Sequence, residues 1–246
     1  MENLIRIGIG GPVGAGKSHL VLRLCEALRD EVSLIVITND IYTREDAQFL
    51  TEKKALPLGR IMGVETGGCP HAAIRDDISL NADALDLLAK KNPDARLALI
   101  ESGGDNLSAT FSPDLVDYQI YVIDVAQGDD IPRKGGLGIG RSDLLVVNKM
   151  DLAPYVGVDL NRMDADLAAA RGPMPYFFTN LRVVAGFEAV LGWVRDRLAE
   201  GARKEKPLWA GSPTLKSAII PDHHHGPGGH HHEHEHPVRS VFRAVK

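Results

Sequence analysis

The chain has 246 residues, of which 44% are hydrophobic and 25% are charged, and its formal net charge is −5. This composition is typical of a globular protein, and a mildly acidic chain is a poor candidate for a general nucleic-acid binder. Its 2 Cys cannot form a disulfide framework, and no apolar run approaches the ~20 residues that span a bilayer, so we expect a cytoplasmic protein without a membrane or nucleic-acid partner.

Short apolar runs alternate along the chain with amphipathic segments. Val and Ile dominate several of the runs, and few of them alternate with polar residues, which is typical of strands buried on both faces. We predict strands at residues 5–9, 34–38, 60–64, 97–101, 118–124, 144–148 and 176–179. We predict helices at residues 18–29, 45–54, 71–89, 161–170 and 186–199. This alternation predicts an α/β fold with a mainly parallel β-sheet flanked by helices.

A glycine-rich segment, residues 11–18, follows the first predicted strand and matches the pattern G-x-x-x-x-G-K-[ST]. Its glycines allow backbone N–H groups to converge on phosphate oxygens, and the following helix N-terminus adds positive potential. Lys17 is expected to reach the β- and γ-phosphates of a nucleotide, and Ser18 to coordinate Mg²⁺. The predicted nucleotide-binding residues here are Gly11, Pro12, Val13, Gly14, Ala15, Gly16, Lys17, Ser18 and, in the first turn of the helix, His19.

Carboxylates end the next three predicted strands or follow them closely: Asp40, Glu65, Glu101 and Asp105. The carboxyl ends of parallel strands face the ligand crevice of such sheets. Carboxylates placed there suit Mg²⁺ or a positioned water. Helix N-capping is an alternative role for Asp40 and Asp105. We predict Asp40 as a second Mg²⁺ ligand, and Lys17, Asp40, Glu65 and Glu101 as catalytic residues.

Cys69 and His71 lie two residues apart in a glycine-rich segment and can share a metal ion. Two ligands do not complete a coordination sphere, but a two-fold dimer would supply two Cys and two His. Such a set is tetrahedral with Zn²⁺ or square-planar with Ni²⁺. A turn with a half-buried cysteine and a helix-start histidine explains the same residues without a metal. Cys25 lies on the apolar side of the first predicted helix and is expected in the core.

A second nucleotide signal follows the predicted strand at 144–148, where Asn148, Lys149 and Asp151 form the N-K-x-D pattern of GTP-binding proteins. A carboxylate accepts hydrogen bonds from guanine N1 and its exocyclic amine, which adenine cannot donate. Thr179 and Asn180, after the next predicted strand, are expected to form a second loop beside the guanine. This pattern argues against a nucleoside or small-molecule kinase, which would also need an acceptor pocket and lid arginines.

The composition changes after residue 201, and eight of the 10 His lie between Asp222 and Pro237. We predict a globular domain at 1–205 and a histidine-rich, disordered C-terminal tail at 206–246. Neutral imidazole suits Ni²⁺ and Zn²⁺, so the tail is expected to serve as a nickel reservoir. A tag or a neutral linker is the alternative reading of the same segment.

Taken together, these segments resemble the urease accessory protein G family of nickel-delivering GTPases. The resemblance covers about residues 4–200 and rests on segments 11–18, 39–43, 65–71, 101–107, 131–136, 141–145 and 148–151. It implies a single P-loop GTPase domain that forms a homodimer with GTP and Ni²⁺. It further implies that GTP hydrolysis delivers Ni²⁺ to the urease active site, and that the partners are the urease apoenzyme and the other urease accessory proteins (D or H, F and E).

The resemblance also implies roles for individual residues. Asp40 would serve the switch and water-positioning region, and Glu65 would link the γ-phosphate side to the metal ligands Cys69 and His71. Asn148, Lys149 and Asp151 would read guanine. Leu137 and Gly140 depart from the family pattern, which has Pro and Thr at these positions. The cofactors implied are GTP, Mg²⁺ and Ni²⁺, with Zn²⁺ as the alternative metal.

Two other functions fit parts of the same pattern. The related hydrogenase nickel-insertion GTPases also carry a P-loop and often a histidine-rich segment, but segments 69–71 and 101–106 favour urease. A nickel storage or sensing module, whose P-loop only controls assembly, is an alternative of another class. GTP turnover separates that module from a GTPase.

Overall fold

Seven strands form one sheet in the computed structural model, which describes residues 4–40, 45–67, 70–104 and 110–201. The strands are β1 (Ile5–Gly10), β2 (Leu34–Asp40), β3 (Ile61–Glu65), β4 (Leu97–Glu101), β5 (Tyr118–Asp124), β6 (Leu144–Asn148) and β7 (Tyr176–Phe178). Their order across the sheet is β3-β2-β4-β1-β5-β6-β7, and every pairing is parallel. The predicted fold class is confirmed, and all seven predicted strands are present with ends that differ by at most two residues.

Helices connect the strands and cover both faces of the sheet. In the described ranges they are α1 (Lys17–Leu28), α2 (Glu45–Glu52), α3 (Pro70–Arg75), α4 (Ser79–Lys91), α5 (Ile131–Lys134), α6 (Leu137–Arg141), α7 (Ala153–Val156), α8 (Leu160–Arg171) and α9 (Phe187–Glu200). The short helices α5, α6 and α7 were not predicted, because one turn is too short to show a helical period. None of the helices in these ranges has the length and apolar character needed to cross a membrane.

The prediction of a single helix at residues 71–89 is wrong, because the chain forms α3 and α4 with a break between them. At the break, the Asp77 carboxylate accepts hydrogen bonds from the backbone N–H of Ser79 at 3.2 Å and from its hydroxyl at 2.6 Å. Aspartate favours such local bonds over a continuous helix. The same bonds hold the pKa of the Asp77 carboxyl below its usual range.

The core lies on both faces of the sheet, because the strands carry apolar side chains in both directions. On one face, strand residues pack against α1 and α9, as seen for Ile7, Leu99, Leu24, Val190 and Val194. On the other face, α4 covers one half of the sheet and α8 covers the other half. The contacts there include Ile100 with Leu85 and Leu88, and Val147 with Met163 and Leu167. This three-layer arrangement leaves the carboxyl edge of the sheet for the polar residues.

Cys25 lies in the core, as predicted, and its side chain is fully buried. Burial raises the pKa of its thiol to about 12, so the reactive thiolate is scarce at pH 8. In a Cys69→Ser variant, where Cys25 is the remaining cysteine, we expect negligible labelling of the native protein by a thiol reagent between pH 7 and 9. Unfolding in urea should make Cys25 fully reactive, which is measured by the absorbance of the chromophore that the thiol reagent releases. Rapid stoichiometric labelling of the native variant would contradict this placement.

Candidate nucleotide site

The carboxyl edge of the parallel sheet carries a cavity of about 550 Å³. The phosphate loop (residues 11–18) and the start of α1 contribute Gly14, Gly16, Lys17, Ser18 and His19 to its wall. The loops after β6 and β7 contribute Asn148, Lys149, Asp151, Leu152, Asn180, Leu181 and Arg182, and α2 contributes Asp46. The two predicted nucleotide-binding segments therefore line one cavity, although about 130 residues separate them.

Two glycines set the path of the phosphate loop. Gly11 has φ 141°, and a Cβ there would lie 2.1 Å from the Val122 carbonyl oxygen. Gly16 has φ 111°, and a Cβ there would lie 2.3 Å from Asn148 Nδ2. Both positions need glycine because the left-handed backbone and the close neighbours exclude a side chain. Along the loop, Gly11 and Ala15 are buried, Pro12 is half-buried, and Val13 and Gly14 are exposed.

Lys17 is held where a phosphate would be received. It lies in the first turn of α1, only 7% of it is exposed, and its Nζ donates to the Pro12 carbonyl oxygen at 3.3 Å. A buried ammonium group at a helix N-terminus adds its charge to the positive end of the helix dipole. This arrangement suits a polyanionic ligand in the cavity.

Asn148 connects the phosphate loop to the loop after β7. Its Nδ2 donates to the Ala15 carbonyl oxygen at 2.9 Å, and its Oδ1 accepts from the Leu181 N–H at 3.2 Å. Thr179 is fully buried, and its hydroxyl lies 3.4 Å from Asn148 Oδ1. The amide of Asn148 thus fixes the two loops to each other, while Asn180 and Asp151 line the cavity.

Lys149 and Asp151 follow on the same loop. Lys149 adopts φ 60°, and its Nζ forms an ion pair with Asp124 Oδ2 at 2.9 Å at the end of β5. The Asp124 carboxylate is buried and also caps the turn that follows, through the Ala126 N–H at 2.8 Å. These contacts fix the course of the loop, and Asp151 is exposed on the cavity wall. Its carboxylate is available there to a ligand with N–H donors.

Three oxygen-bearing side chains meet beside the phosphate loop. Ser18 Oγ lies 2.7 Å from Glu101 Oε1 and 2.7 Å from Asp46 Oδ1. Glu101 is fully buried, and burial together with the charge of Asp46 raises the pKa of its carboxyl to about 8, against the opposing charge of Lys17. Glu101 Oε2 is buried and has no hydrogen-bond partner among the described residues. When Glu101 is ionised, the single Ser18 hydroxyl proton serves two carboxylates, so a bound cation would compensate the charge of this corner.

That corner fits a hard divalent cation. Magnesium binds carboxylate and hydroxyl oxygens, and the orphaned Glu101 Oε2 is such an atom. Ser18, Asp46 and Glu101 are the residues that would hold Mg²⁺. Asp46 was missed by sequence reasoning, because an acidic residue in the first turn of a helix is ordinary there. Arg182, which also lines the cavity, was missed because it follows the predicted second loop after β7 and no motif marks it.

The remaining predicted residues lie at the same edge, on the side of β2 and β3. Asp40 and Glu65 end these strands and are paired in register, and the Asp40 carbonyl oxygen accepts from the Thr66 N–H at 2.9 Å. Asp40 is half-buried and Glu65 is exposed. His71 is half-buried near the start of α3. Cys69, Asp105 and the tail at 206–246 lie outside the described residues, and among those described no group of three His, Cys, Asp or Glu could hold a metal ion.

His19 occupies the first turn of α1 and lines the cavity. Its ring centroid lies 5.3 Å from that of Phe49 in α2. Partial desolvation, followed by the charges of Arg182 and Arg23, lowers the pKa of its imidazole. The ring is therefore neutral at pH 7 and contributes an apolar and hydrogen-bonding surface rather than a charge.

Comparison with known proteins agrees with this geometry. The family profile described as CobW/HypB/UreG, nucleotide-binding domain, matches residues 5–178. A relative from Streptomyces coelicolor, described as urease accessory protein UreG, is 60% identical over 195 residues, which are 79% of this chain and 87% of the relative.

Two solved structures share the fold. The hydrogenase maturation factor HypB from Archaeoglobus fulgidus is 25% identical with a TM-score of 0.65, over 80% of this chain and 91% of that chain. HypB from Helicobacter pylori, solved in complex with nickel, is 18% identical with a TM-score of 0.70, over 83% of this chain and 92% of that chain. The parallel sheet with a phosphate loop after β1 is thus a P-loop GTPase fold.

Proposed function

Because this chain belongs to the urease accessory protein UreG family, within the CobW/HypB/UreG group of nucleotide-binding domains, we propose that it is a GTP-dependent nickel metallochaperone for urease. It binds and hydrolyses GTP, and it delivers Ni²⁺ to the urease active site. The observation that carries the proposal is the single cavity that joins the phosphate loop to Asp151. A ligand with phosphates at one end and guanine at the other fits both sets of groups.

Each end of the cavity has a defined task. Lys17 and the backbone N–H groups of the phosphate loop hold the β- and γ-phosphates. Asp151 accepts from guanine N1 and the exocyclic amine, and adenine lacks these donors. Ser18, Asp46 and Glu101 would hold Mg²⁺, which would supply positive charge beside the phosphates. Asp40 orients the attacking water from the end of β2.

Nickel is the cargo, and Cys69 and His71 are its ligands. Each protomer supplies one thiolate and one imidazole, and a two-fold homodimer completes an S₂N₂ set that suits Ni²⁺ or Zn²⁺. Cys69 lies only four positions after Glu65 in the chain. Contacts between the γ-phosphate side and the ends of β2 and β3 therefore orient the metal ligands, and hydrolysis releases them.

Proteins described as urease and as hydrogenase accessory factors both resemble this chain, and the urease relative is the more similar. The relative described as urease accessory protein UreG is 60% identical, whereas the hydrogenase maturation factor is 25% identical. We therefore propose the urease apoenzyme and the other urease accessory proteins as partners. The eight tail histidines supply Ni²⁺ to the dimer as a reservoir of imidazole ligands.

The oligomeric state of the full-length chain tests this proposal. Light scattering should show a dimer with Ni²⁺ and a non-hydrolysable GTP analogue together, and a monomer with neither. Cys69→Ala should keep affinity for the analogue and lose the nickel-dependent dimer, because each protomer then lacks its thiolate. A full-length variant with the eight tail histidines replaced by asparagine is the control, and it should still dimerise. A monomer in every condition would overturn the proposal.

A further inference from the structure

A reciprocal pair of asparagine amides lies buried at the junction of β2 and α4. Asn39 Nδ2 donates to Asn81 Oδ1 at 3.0 Å, and Asn81 Nδ2 donates to Asn39 Oδ1 at 2.9 Å. Both side chains are 0% exposed. Buried polar pairs of this kind hold their geometry, because water cannot replace a broken bond.

Each amide uses its second N–H to reach a main-chain oxygen on another element. Asn39 Nδ2 also donates to the Glu101 carbonyl oxygen at 2.8 Å, at the end of β4. Asn81 Nδ2 also donates to the Ala73 carbonyl oxygen at 2.9 Å, within α3. The pair therefore joins four elements, β2, β4, α3 and α4, through two side chains.

The two ends of this network are functionally different places. Glu101 belongs to the proposed Mg²⁺ corner, where its side chain lies 2.7 Å from Ser18 Oγ. Ala73 lies two residues after His71, in the helix that follows Cys69. Asn39 itself precedes Asp40, which ends β2. The amide pair thus forms a continuous hydrogen-bonded connection from the phosphate side of the cavity to the helix carrying a predicted nickel ligand.

Helix α3 depends on such contacts for its position. It has only six residues, and a helix of that length is not stable by itself in water. Its other anchors include the Ser112 N–H, which donates to the Ile74 carbonyl oxygen at 2.8 Å, the contact between Arg75 and Thr110, and the burial of the Ile74 side chain. The two polar anchors hold the C-terminal end of α3 to the segment before β5, away from the phosphate corner.

We propose that Asn81, paired with Asn39, is the positioning residue that couples nucleotide binding to the placement of α3. This inference rests on the proposed function, and it identifies the residues through which GTP binding would affect the nickel site. A shift of the β4 end or the β2 end on nucleotide binding moves the amide pair, and the pair moves the Ala73 carbonyl and α3 with it. Without the pair, each site keeps its own residues, but GTP no longer strengthens nickel-dependent assembly.

The test uses full-length Asn81→Ala and titrates Ni²⁺ against dimer fraction, with and without a non-hydrolysable GTP analogue. We expect the variant to bind the analogue within about threefold of wild type, because no phosphate or base contact is lost. The Ni²⁺ concentration for half-dimerisation in the presence of the analogue should rise about tenfold or more, while the value without the analogue stays the same. If Asn81 served stability alone, the variant would form less dimer both with and without the analogue. The ratio of the two Ni²⁺ concentrations for half-dimerisation would then stay unchanged.

Asn92→Ala is the matched control, since Asn92 caps the other end of α4 with an amide that donates to the Gly59 and Leu88 carbonyl oxygens. It should keep the wild-type ratio. If Asn81→Ala does not fold, Asn81→Ser is measured in the same way. An unchanged ratio in a folded Asn81 variant overturns this inference alone. Absence of a nucleotide effect in the wild type instead overturns the proposed function.

Discussion

Replacing Asp151 with asparagine is expected to lower the affinity for GTP about 100-fold and to reverse the preference in favour of xanthosine triphosphate. Asparagine keeps an oxygen that accepts from the base N1–H but replaces the second acceptor with an N–H donor. That donor faces the exocyclic amine of guanine, where two donors oppose each other. Xanthine carries an oxygen at the same position and restores the bond.

The structure indicates that this change leaves the loop intact. Lys149 is held by Asp124, and Asn148 is held by Ala15 and Leu181, so neither anchor depends on the Asp151 side chain. The carboxylate is exposed on the cavity wall, and its replacement buries no unpaired charge. The expected effect is therefore on nucleotide selectivity and not on the free energy of unfolding.

Competition between fluorescent GTP and unlabelled nucleotides measures the change. Asp86→Asn, at an exposed position of α4, is the control for loss of one surface charge, and it should bind GTP like the wild type. Equal affinities of wild type and Asp151→Asn for GTP would show that another group recognises the base.

Lys17→Ala is expected to weaken binding of a GTP analogue by about 100-fold or more and to abolish GTP hydrolysis. The ammonium would donate charge-assisted hydrogen bonds to two phosphates, each worth about 1.5–3 kcal/mol. In the described part of the chain, Lys17 Nζ contacts one carbonyl oxygen, that of Pro12, at 3.3 Å, so its removal breaks few hydrogen bonds there. The charge of Lys17 also lowers the pKa of the Glu101 carboxyl, and Glu101 is therefore more fully protonated in the variant.

Calorimetric titration with the analogue, together with a melting curve, separates binding from folding. The melting temperature should stay close to that of the wild type, because a protonated Glu101 carries no uncompensated charge. Lys91→Ala, at the exposed end of α4, removes one lysine without touching the cavity and should bind normally. An analogue affinity within threefold of wild type for Lys17→Ala would exclude the phosphate loop as the main phosphate contact.

Much of the fold was predictable because it depends on local pattern. The strands β4, β5 and β6 were predicted with their observed ends, since a buried apolar run bounded by polar residues has clear limits. The break between α3 and α4 was missed, because the apolar period continues across it while Asp77 and Ser79 form local bonds. A periodic pattern does not show whether such side-chain bonds or the continuing helix will be the more stable.

In the candidate site, too, some features were predictable from the sequence and others were not. The sequence alone predicted the phosphate loop, where Gly11 and Gly16 have backbone conformations that only glycine adopts readily, and it predicted Asp151 from its spacing after Asn148. Three contacts became visible in the folded chain alone: Asn148 connects two loops, Asp46 meets Ser18 beside Glu101, and Asn39 pairs with Asn81. These contacts join residues 28 to 133 positions apart in the chain. Such pairs are set by the packing of whole elements on the sheet, and no local propensity records that packing.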